Sequence, residues 1–396
     1  MAGGCRSPNC PDSDGDFLMA YRPATIEELA EMIREAAAHG RSLAVSGTGS
    51  RPGIGPGAAD ADLDLTGLGG SIDHDPGELL LTLPASTPLD HVEKLLAQSG
   101  QCLAFEPPSP DAIWGLGHGT IGGAVASGLS GPRRPFAGAC RDHVLGLSGV
   151  TGRGEIFTAG GKVLKNVTGF DLPRLLTGSR GTLAVLTQIT LKVLPLAPAQ
   201  ATLLLPADTA AKAVRIMADA LMVDGGITGA AWSESEVQLR IESSSAVLPA
   251  LVDAARARLP ASTLIEGDAS RALWAAIASL YDHAHADEII WRCPLPANRA
   301  PALAALLPPD ARLRLDWAGA LAWVLLPAGA ADLDVHGLVA QAAGRDGHAE
   351  RLRGAASAIP ARAPLEPGLA ALSARVKALF DPAGILSPAA APGGAA

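Results

Sequence analysis

The sequence predicts an α+β protein, on three observations. Short apolar strands alternate with amphipathic helices between residues 24 and 100, two glycine-rich stretches stand before Pro195, and the order β-α-β-β-α-β is read after Pro195 and again from Glu288. With 396 residues the chain is long enough for two or three domains with sizeable cores. Hydrophobic residues make up 48% and charged ones 18%, which reads as globular, and with 4% aromatics the core must be built mainly from Ala, Val and Leu.

The first helix is signalled by Thr25 and Glu28 at capping-box spacing, by Ile26, Leu29, Ala30 and Ile33, and by Gly40 as its stop. The strand "SLAVSG" follows and runs into the loop "SGTGSRPGIGPG", residues 46–57. After the strand "ELLLTLP", a second helix is expected to start at Thr87 with Pro88 in its first turn, carry Leu89, Val92, Leu95 and Leu96, and stop at Gly100. Beyond Pro195 come "ATLLLP", a helix over 209–222, "GITGAAW", "VQLRIE", a helix over 246–257 and "STLIE". The same order recurs in "EIIWRCPLP", a helix over 299–307, "RLRLDWAG", "ALAWVLLP", a helix over 335–343 and "HAERLRG". Two such units are expected to share one antiparallel sheet backed by helices. A last helix over 368–380 is stopped by Pro382 and Gly384.

Composition narrows the function. A net charge of −9 argues against a nucleic-acid partner. The five cysteines, Cys5, Cys10, Cys102, Cys140 and Cys293, are odd in number and scattered, so a reducing compartment is expected rather than a disulfide framework. No C-x₂-C pair exists to suggest zinc or a cysteine-ligated iron–sulfur cluster. Residues 1–20 have neither the basic start nor the apolar run of a signal peptide and read as a mobile tail, and nothing approaches the roughly 18 apolar residues of a membrane span.

The loop at 46–57 is not a P-loop, since no G-K-[ST] follows, and no helix begins directly after it as a Rossmann fingerprint requires. Taken alone it is either a phosphate loop or a flexible connection. Its partner is "GHGTIGGAVASGLSGPRRPFAGACRDHVLG", residues 117–146. Main-chain N–H groups in a concave turn form an anion-binding nest, and two glycine-rich loops in one domain can clamp a dinucleotide from both sides. Neither loop offers a Lys for a terminal phosphate, which favours a bound cofactor over a hydrolysed nucleotide.

The order "SLAVSGTGSRPGIG", "TIGGAVASGLSGPRRPFAGACRDHVLG", "GGKVLKNVTGFDLPRLLTGSRGTLAVLTQITLKVLP" and "VKALFDPAGILSP" resembles the FAD-binding domain of the vanillyl-alcohol-oxidase superfamily, the PCMH type. "CLAFEPP", "SGPRRPFAG", "KNVTGFDLPRLLTGSRGTL" and "WAGALAWV" are similar, more narrowly, to the FAD-binding subunits of bacterial glycolate oxidase. The resemblance implies a PCMH-type domain of two α+β subdomains over 21–197, a cap-like domain with a helix-flanked antiparallel sheet over 198–365, and a segment over 366–396 that returns to the FAD domain. It implies FAD contacts from Ser46, Gly47, Thr48, Gly49 and Ser50 at the diphosphate, and from Thr120, Ile121, Gly122, Gly123, Ser127 and Gly131 on the opposing segment. Arg141 and Asp142 match an RDHVLG-type motif, as flavin contacts or as a charge pair fixing a turn, and Val185 in "GTLAVLT" matches the strand whose main chain meets the adenine. Some superfamily members bind flavin covalently through a His in the first loop; none stands here, so the FAD is expected to be non-covalent, with Cys140 and His118 left to packing. Gln188 and Ser86 depart from the Glu and Gly usual in relatives and put local geometry in question.

Oxidising a 2-hydroxy acid requires moving a hydride from Cα, taking the hydroxyl proton and holding the carboxylate, usually with Arg. Arg292 and His348 are the candidates, a purely structural place on the second-domain sheet being the alternative for each. Related catalytic chains carry a His-rich metal motif in a longer cap; His283 and His285 in "DHAHADE" are two apart, and no metal site is assigned. The expected partners are a small 2-hydroxy acid, a homologous flavoprotein subunit and an iron–sulfur subunit, in the cytoplasm or at the inner face of the membrane through those subunits. A non-catalytic assembly subunit that retains FAD, and a stand-alone sugar-alcohol or lactone oxidase, remain alternatives.

Overall fold

The computed structural model describes residues 19–51, 59–161, 170–223, 226–233, 235–259, 261–280, 287–354 and 357–387. Residues 1–18 of the expected tail, 52–57 of the first loop, and His283 and His285 lie outside them.

The fold is α+β, and its first domain is built on two sheets. In one, the Ala61–Asp64 strand lies between Met19–Tyr21 and Leu43–Ser46, all parallel. Helix Ile26–His39 packs on it through Leu29, Ala30, Ile33 and Ala36; Thr25 Oγ1 accepts from the Glu28 N–H, and Gly40 closes the helix at φ 63°. The Glu28 carboxylate accepts from the N–H of Ala24 (2.8 Å), one residue earlier than in a strict capping box. The C-terminal segment joins this core: the Leu43 N–H donates to Ile385 O (2.7 Å) and the Ser387 N–H to Leu43 O (2.8 Å).

The other sheet is antiparallel, in the order Asp73–Asp75, Leu80–Pro84, Ala184–Lys192, Val144–Thr151, Ile156–Gly160. Helices Leu89–Gln98 and Ile121–Ser127 bury Leu89, Val92, Leu96, Ile121, Ala124 and Val125 against it. Each such Leu or Ile removed from water contributes about 1.5–3 kcal/mol. The second helix starts at Leu89, not at Thr87. Thr87 and Pro88 are held extended because the Ile121 N–H donates to Thr87 O (2.9 Å) and the Leu89 N–H to Gly119 O (3.0 Å), which ties this helix start to the glycine-rich segment.

The second domain is one eight-stranded antiparallel sheet, in the order Thr263–Glu266, Ala199–Pro206, Glu236–Ser243, Ile227–Ser233, Arg312–Asp316, Leu321–Leu326, Ile289–Pro294, Glu350–Arg353. The two β-α-β-β-α-β units each supply four strands and meet where Trp232 pairs with Leu315 and Ser233 with Arg314. Helices Ala210–Leu221, Leu248–Arg258, Ala300–Leu306 and Val335–Ala343 cover one face, over Leu203, Leu239, Trp291, Val324 and their neighbours. By the period-two alternation of strands, Arg240, Glu242, Arg292 and Asp316 point to the other face. That face meets the first domain, where Trp317, Trp323, Ile290 and Leu325 pack with Ile113 and Leu129. A further helix, Gly267–Ser279, also lies on this side; its Trp274 indole donates to Thr202 Oγ1 (2.9 Å). It has no side-chain cap at Glu266 and opens on glycine, so the sequence carries no start signal for it.

Candidate functional site: a cavity between two sheets and a cationic face beside it

The loop that leaves Leu43–Ser46 at its C-terminal end forms one wall of a cavity of about 300 Å³. Ser46, Gly47, Thr48, Gly49, Ser50 and Arg51 line it from the parallel sheet; Ala85, Thr120, Gly122, Gly123, Ala126 and Ser127 from the antiparallel side; and Arg180, Gly181, Ala184 and Leu186 close it. Gly49 sits at φ 65° with nothing within 4 Å of where a Cβ would stand, so glycine is required there by backbone conformation and opens onto free space. Gly47 is set by close approach, since a Cβ there would stand 2.9 Å from Thr120 Oγ1.

The two walls differ in what they offer a ligand. On the helix wall the first amides are already used: Ile121 N–H donates to Thr87 O, Gly122 N–H to Ala85 O (2.8 Å) and Gly123 N–H to Thr120 Oγ1 (3.1 Å). This wall therefore provides a flat surface of small residues. On the loop wall, among the described residues, no acceptor is found for the main-chain amides of Gly47, Thr48, Gly49, Ser50 or Arg51. Burial lowers the Arg51 pKa to about 10, so the guanidinium stays charged at neutral pH, and its Nε is buried with no partner among the described residues. Arg180 ion-pairs with Glu350 through Nη2 while its Nη1 is buried and unpartnered. Free amides, two desolvated guanidiniums with orphaned nitrogens and an open cradle at Gly49 fit an anionic dinucleotide such as FAD.

Nine of the residues expected at FAD meet in this cavity: Ser46, Gly47, Thr48, Gly49, Ser50, Thr120, Gly122, Gly123 and Ser127. The others are placed elsewhere. Ile121 is fully buried in the antiparallel-side core. Gly131 is explained by a close approach, a Cβ there standing 2.4 Å from Glu106 O, and its own carbonyl accepts from the Trp317 indole (2.9 Å). Arg141 is exposed and does not line the cavity. Asp142 fixes a turn, accepting from the Ala139 N–H (2.9 Å) and pairing with Arg174 (3.3 Å) rather than with Arg141. Val185 turns its side chain into the helix Ile26–His39 core and is paired with Val150, while its strand neighbours Ala184 and Leu186 face the cavity. Cys140 is fully buried, its amide bonded to Ser130 Oγ (3.0 Å), and His118 is exposed. Ser86 lines the cavity and donates to Leu68 O; Gln188 is exposed on its strand. Arg51, Arg180, Ala184 and Leu186 were not anticipated; only an unpaired Arg inside a glycine loop could have flagged the first.

Arg292 and His348 are brought together on the cap sheet beside this cavity. Arg292 stands opposite Glu350 in the strand register, and the Glu350 carboxylate accepts from Arg180 and from Arg362 (2.9 Å), so one acidic group links the cavity wall to the cap. Burial lowers the Arg292 pKa to about 10, with Glu350 raising it and Arg134 lowering it. His348 is exposed, and partial burial together with Arg292 and Arg134 lowers its pKa, which favours the neutral imidazole at pH 7. The "DWAG" turn beside them is strained: Trp317, Ala318 and Gly319 all have positive φ, at 54°, 56° and 94°. Such non-glycine residues cost on the order of 1–3 kcal/mol each and cluster at functional sites. Among the described residues no group of three His, Cys, Asp or Glu is placed to hold a metal.

Comparison with known proteins bears on this arrangement. The FAD binding domain family matches residues 18–160. The glycolate oxidase subunit GlcE of Escherichia coli (strain K12) is 31% identical over 366 residues, covering 91% of this chain and 96% of that one. The glycolate oxidase subunit GlcD of Bacillus subtilis (strain 168) is 40% identical over 100 residues, 25% of this chain and 21% of the relative. Among solved structures, an alkyldihydroxyacetonephosphate synthase superposes with a TM-score of 0.63 at 14% identity, over 93% of this chain and 75% of that one, a likeness of fold.

Proposed function

The chain belongs to the family of the glycolate oxidase subunit GlcE, FAD-linked oxidoreductases, and from that premise we propose that it is the FAD-binding subunit of a complex that oxidises glycolate to glyoxylate. The observation that carries this reading is the cavity whose loop wall offers free amides and Arg51 opposite a wall of small residues. Gly47 to Ser50, with Arg51, would hold the diphosphate; Gly122, Gly123, Ala126 and Ser127 would lie along the cofactor; Ala184 and Leu186 would flank it. Bound there without a covalent link, FAD supplies the two-electron acceptor. Arg292 binds the substrate carboxylate, and neutral His348 takes the proton of the hydroxyl as the Cα–H bond breaks.

The electrons then pass to a partner. In support of a multi-subunit reading, Leu365, Leu369, Leu372 and Leu379 stand 52%, 52%, 53% and 68% exposed along helix Pro367–Phe380 and the residues before it. Within the helix Leu369, Leu372 and Leu379 follow the 3-7 spacing of one face, and an exposed apolar stripe marks an interaction surface. We assign the partners as a homologous flavoprotein subunit and an iron–sulfur subunit, and the location as cytoplasmic, with any membrane contact through those subunits; among the described residues no helix is long and apolar enough to cross a membrane. The test is to purify the chain, record its visible spectrum before and after acid precipitation, and assay glyoxylate formation from glycolate with a dye acceptor. Flavin in the acid supernatant together with glyoxylate formation supports the reading. A colourless protein that FAD cannot reconstitute overturns it.

A further inference from the structure

Two sequence features that single out the narrower family, "GPRRPFAG" and "WAGALAWV", have no place in the cofactor cavity, yet the fold brings them together. Arg134 of the first lies with its guanidinium carbon 4.0 Å from the ring centre of Trp317 of the second, and Arg292 from a third segment lies 5.0 Å from the same ring. Both arginines are half-buried, and neither guanidinium makes a hydrogen bond or an ion pair among the described residues. The carboxylates in range are already engaged: Glu350 by Arg180 and Arg362, Asp142 by Arg174 and the Ala139 amide, and buried Asp316 by the Trp317 N–H (2.7 Å). Trp317 is held in place twice over, by its left-handed backbone and by its indole bond to Gly131 O.

We propose that Arg134 and Arg292, both set against the Trp317 ring, form a small-carboxylate site in which Arg134 is a second specificity-determining residue beside Arg292. Desolvated guanidiniums without an internal anion favour an external one, and the planar fork of Arg matches a carboxylate. Their side chains reach the site from different domains, Arg134 from the glycine-rich segment of the first and Arg292 from the cap sheet, so the carboxylate also bridges the domain boundary. The oxidation reading above supplies the identity of the ligand as a 2-hydroxy acid; the anion site itself follows from the unpaired arginines.

Oxalate, a planar dicarboxylate that lacks an oxidisable carbinol, is the probe, with glycolamide as its uncharged control. Calorimetric titration of the FAD-loaded full chain is expected to show oxalate binding, no glycolamide binding, and an affinity lowered roughly tenfold or more in Arg134→Gln and in Arg292→Gln. Arg134→Lys is expected to recover part of the loss, and FAD content is expected to be unchanged in all three. The unsubstituted chain gives an independent reading through arginine-directed labelling mapped by mass spectrometry: oxalate should protect Arg134 and Arg292. Failure of wild type to bind oxalate, or wild-type affinity in both Gln variants with no protection of either arginine, overturns the site. Flavin reduction by glycolate with arginine-independent oxalate binding sinks this site alone; arginine-dependent oxalate binding without flavin reduction sinks the oxidation reading and leaves the site standing.

Discussion

Arg240 and Arg292 stand on the same face of the cap sheet, and each lies against a tryptophan, Trp274 at 4.6 Å and Trp317 at 5.0 Å. Around Arg240 every need is met. Its Nη1 and Nη2 donate to the two oxygens of Glu106 (2.7 and 3.2 Å), Nε to Thr228 Oγ1 (3.1 Å), and Glu242 stands at 3.5 Å. Arg133 completes the set, reaching Glu242 at 2.8 Å and Glu106 at 3.3 Å. Burial pushes the Glu106 carboxyl up, but Arg240 and Arg133 more than offset this and hold its pKa below the ordinary value. Arg292 has the ring and no such partners among the described residues. A buried arginine that is fully paired joins the two domains; one left unpaired is a place for something that comes from outside.

The comparison breaks most visibly at Glu106. Glu106→Gln is expected to destabilise the chain by about 3–5 kcal/mol in urea unfolding, because it leaves Arg240 buried with a weakened partner. A change within the error of the method would mean that this cluster does not hold the domains.

Asp316, between the two arginines, is the next largest. Burial chiefly raises its pKa from 3.8 to about 7, so the native state holds the proton more tightly than the unfolded chain. Its contribution is full below 3.8 and is lost as pH rises through about 7. Asp316→Asn keeps an acceptor for the Trp317 N–H and should remove that pH dependence, gaining on the order of 2–4 kcal/mol over wild type above that window. Parallel stability–pH curves for the two proteins would count against it.

Arg51, with no side-chain partner among the described residues, sets the same contrast in the cofactor cavity. Arg51→Gln should weaken FAD binding by roughly tenfold to a hundredfold, about 1.5–3 kcal/mol, measured by fluorescence titration of the apoprotein. The smallest effect is expected for the stability of Arg292→Gln, within about 1 kcal/mol of wild type, since among the described residues no group loses a hydrogen-bond partner. A loss comparable to that of Glu106→Gln would make Arg292 structural after all.

The parts of this molecule legible in sequence are those encoded locally. The cap at Thr25, the glycine stop at Gly40, the helix placed over 209–222 and the doubled β-α-β-β-α-β order each rest on neighbours within a few residues, and the loop at 46–51 announces its lining through its glycines. What was not legible depends on distant partners. The late start of helix Leu89–Gln98 comes from hydrogen bonds to Gly119 and Ile121, and Gly131 is a glycine because of Glu106 O. Val185 alternates away from the cavity although Ala184 and Leu186 face it, an orientation set by which core each strand face meets. Arg292 and His348 were named from chemistry alone; that they share a field with Arg134 and Glu350 comes from strand pairing and domain contact, which no local pattern carries.

This chain, loaded with FAD, is expected to oxidise glycolate by itself. Anaerobic mixing of the FAD-loaded chain with glycolate, without partner subunits, tests it directly by following the visible flavin absorbance. Bleaching is expected in wild type, and in Arg292→Gln a bleaching that needs roughly tenfold more glycolate to reach the same rate. A yellow wild-type protein whose absorbance does not change at any glycolate concentration would contradict it.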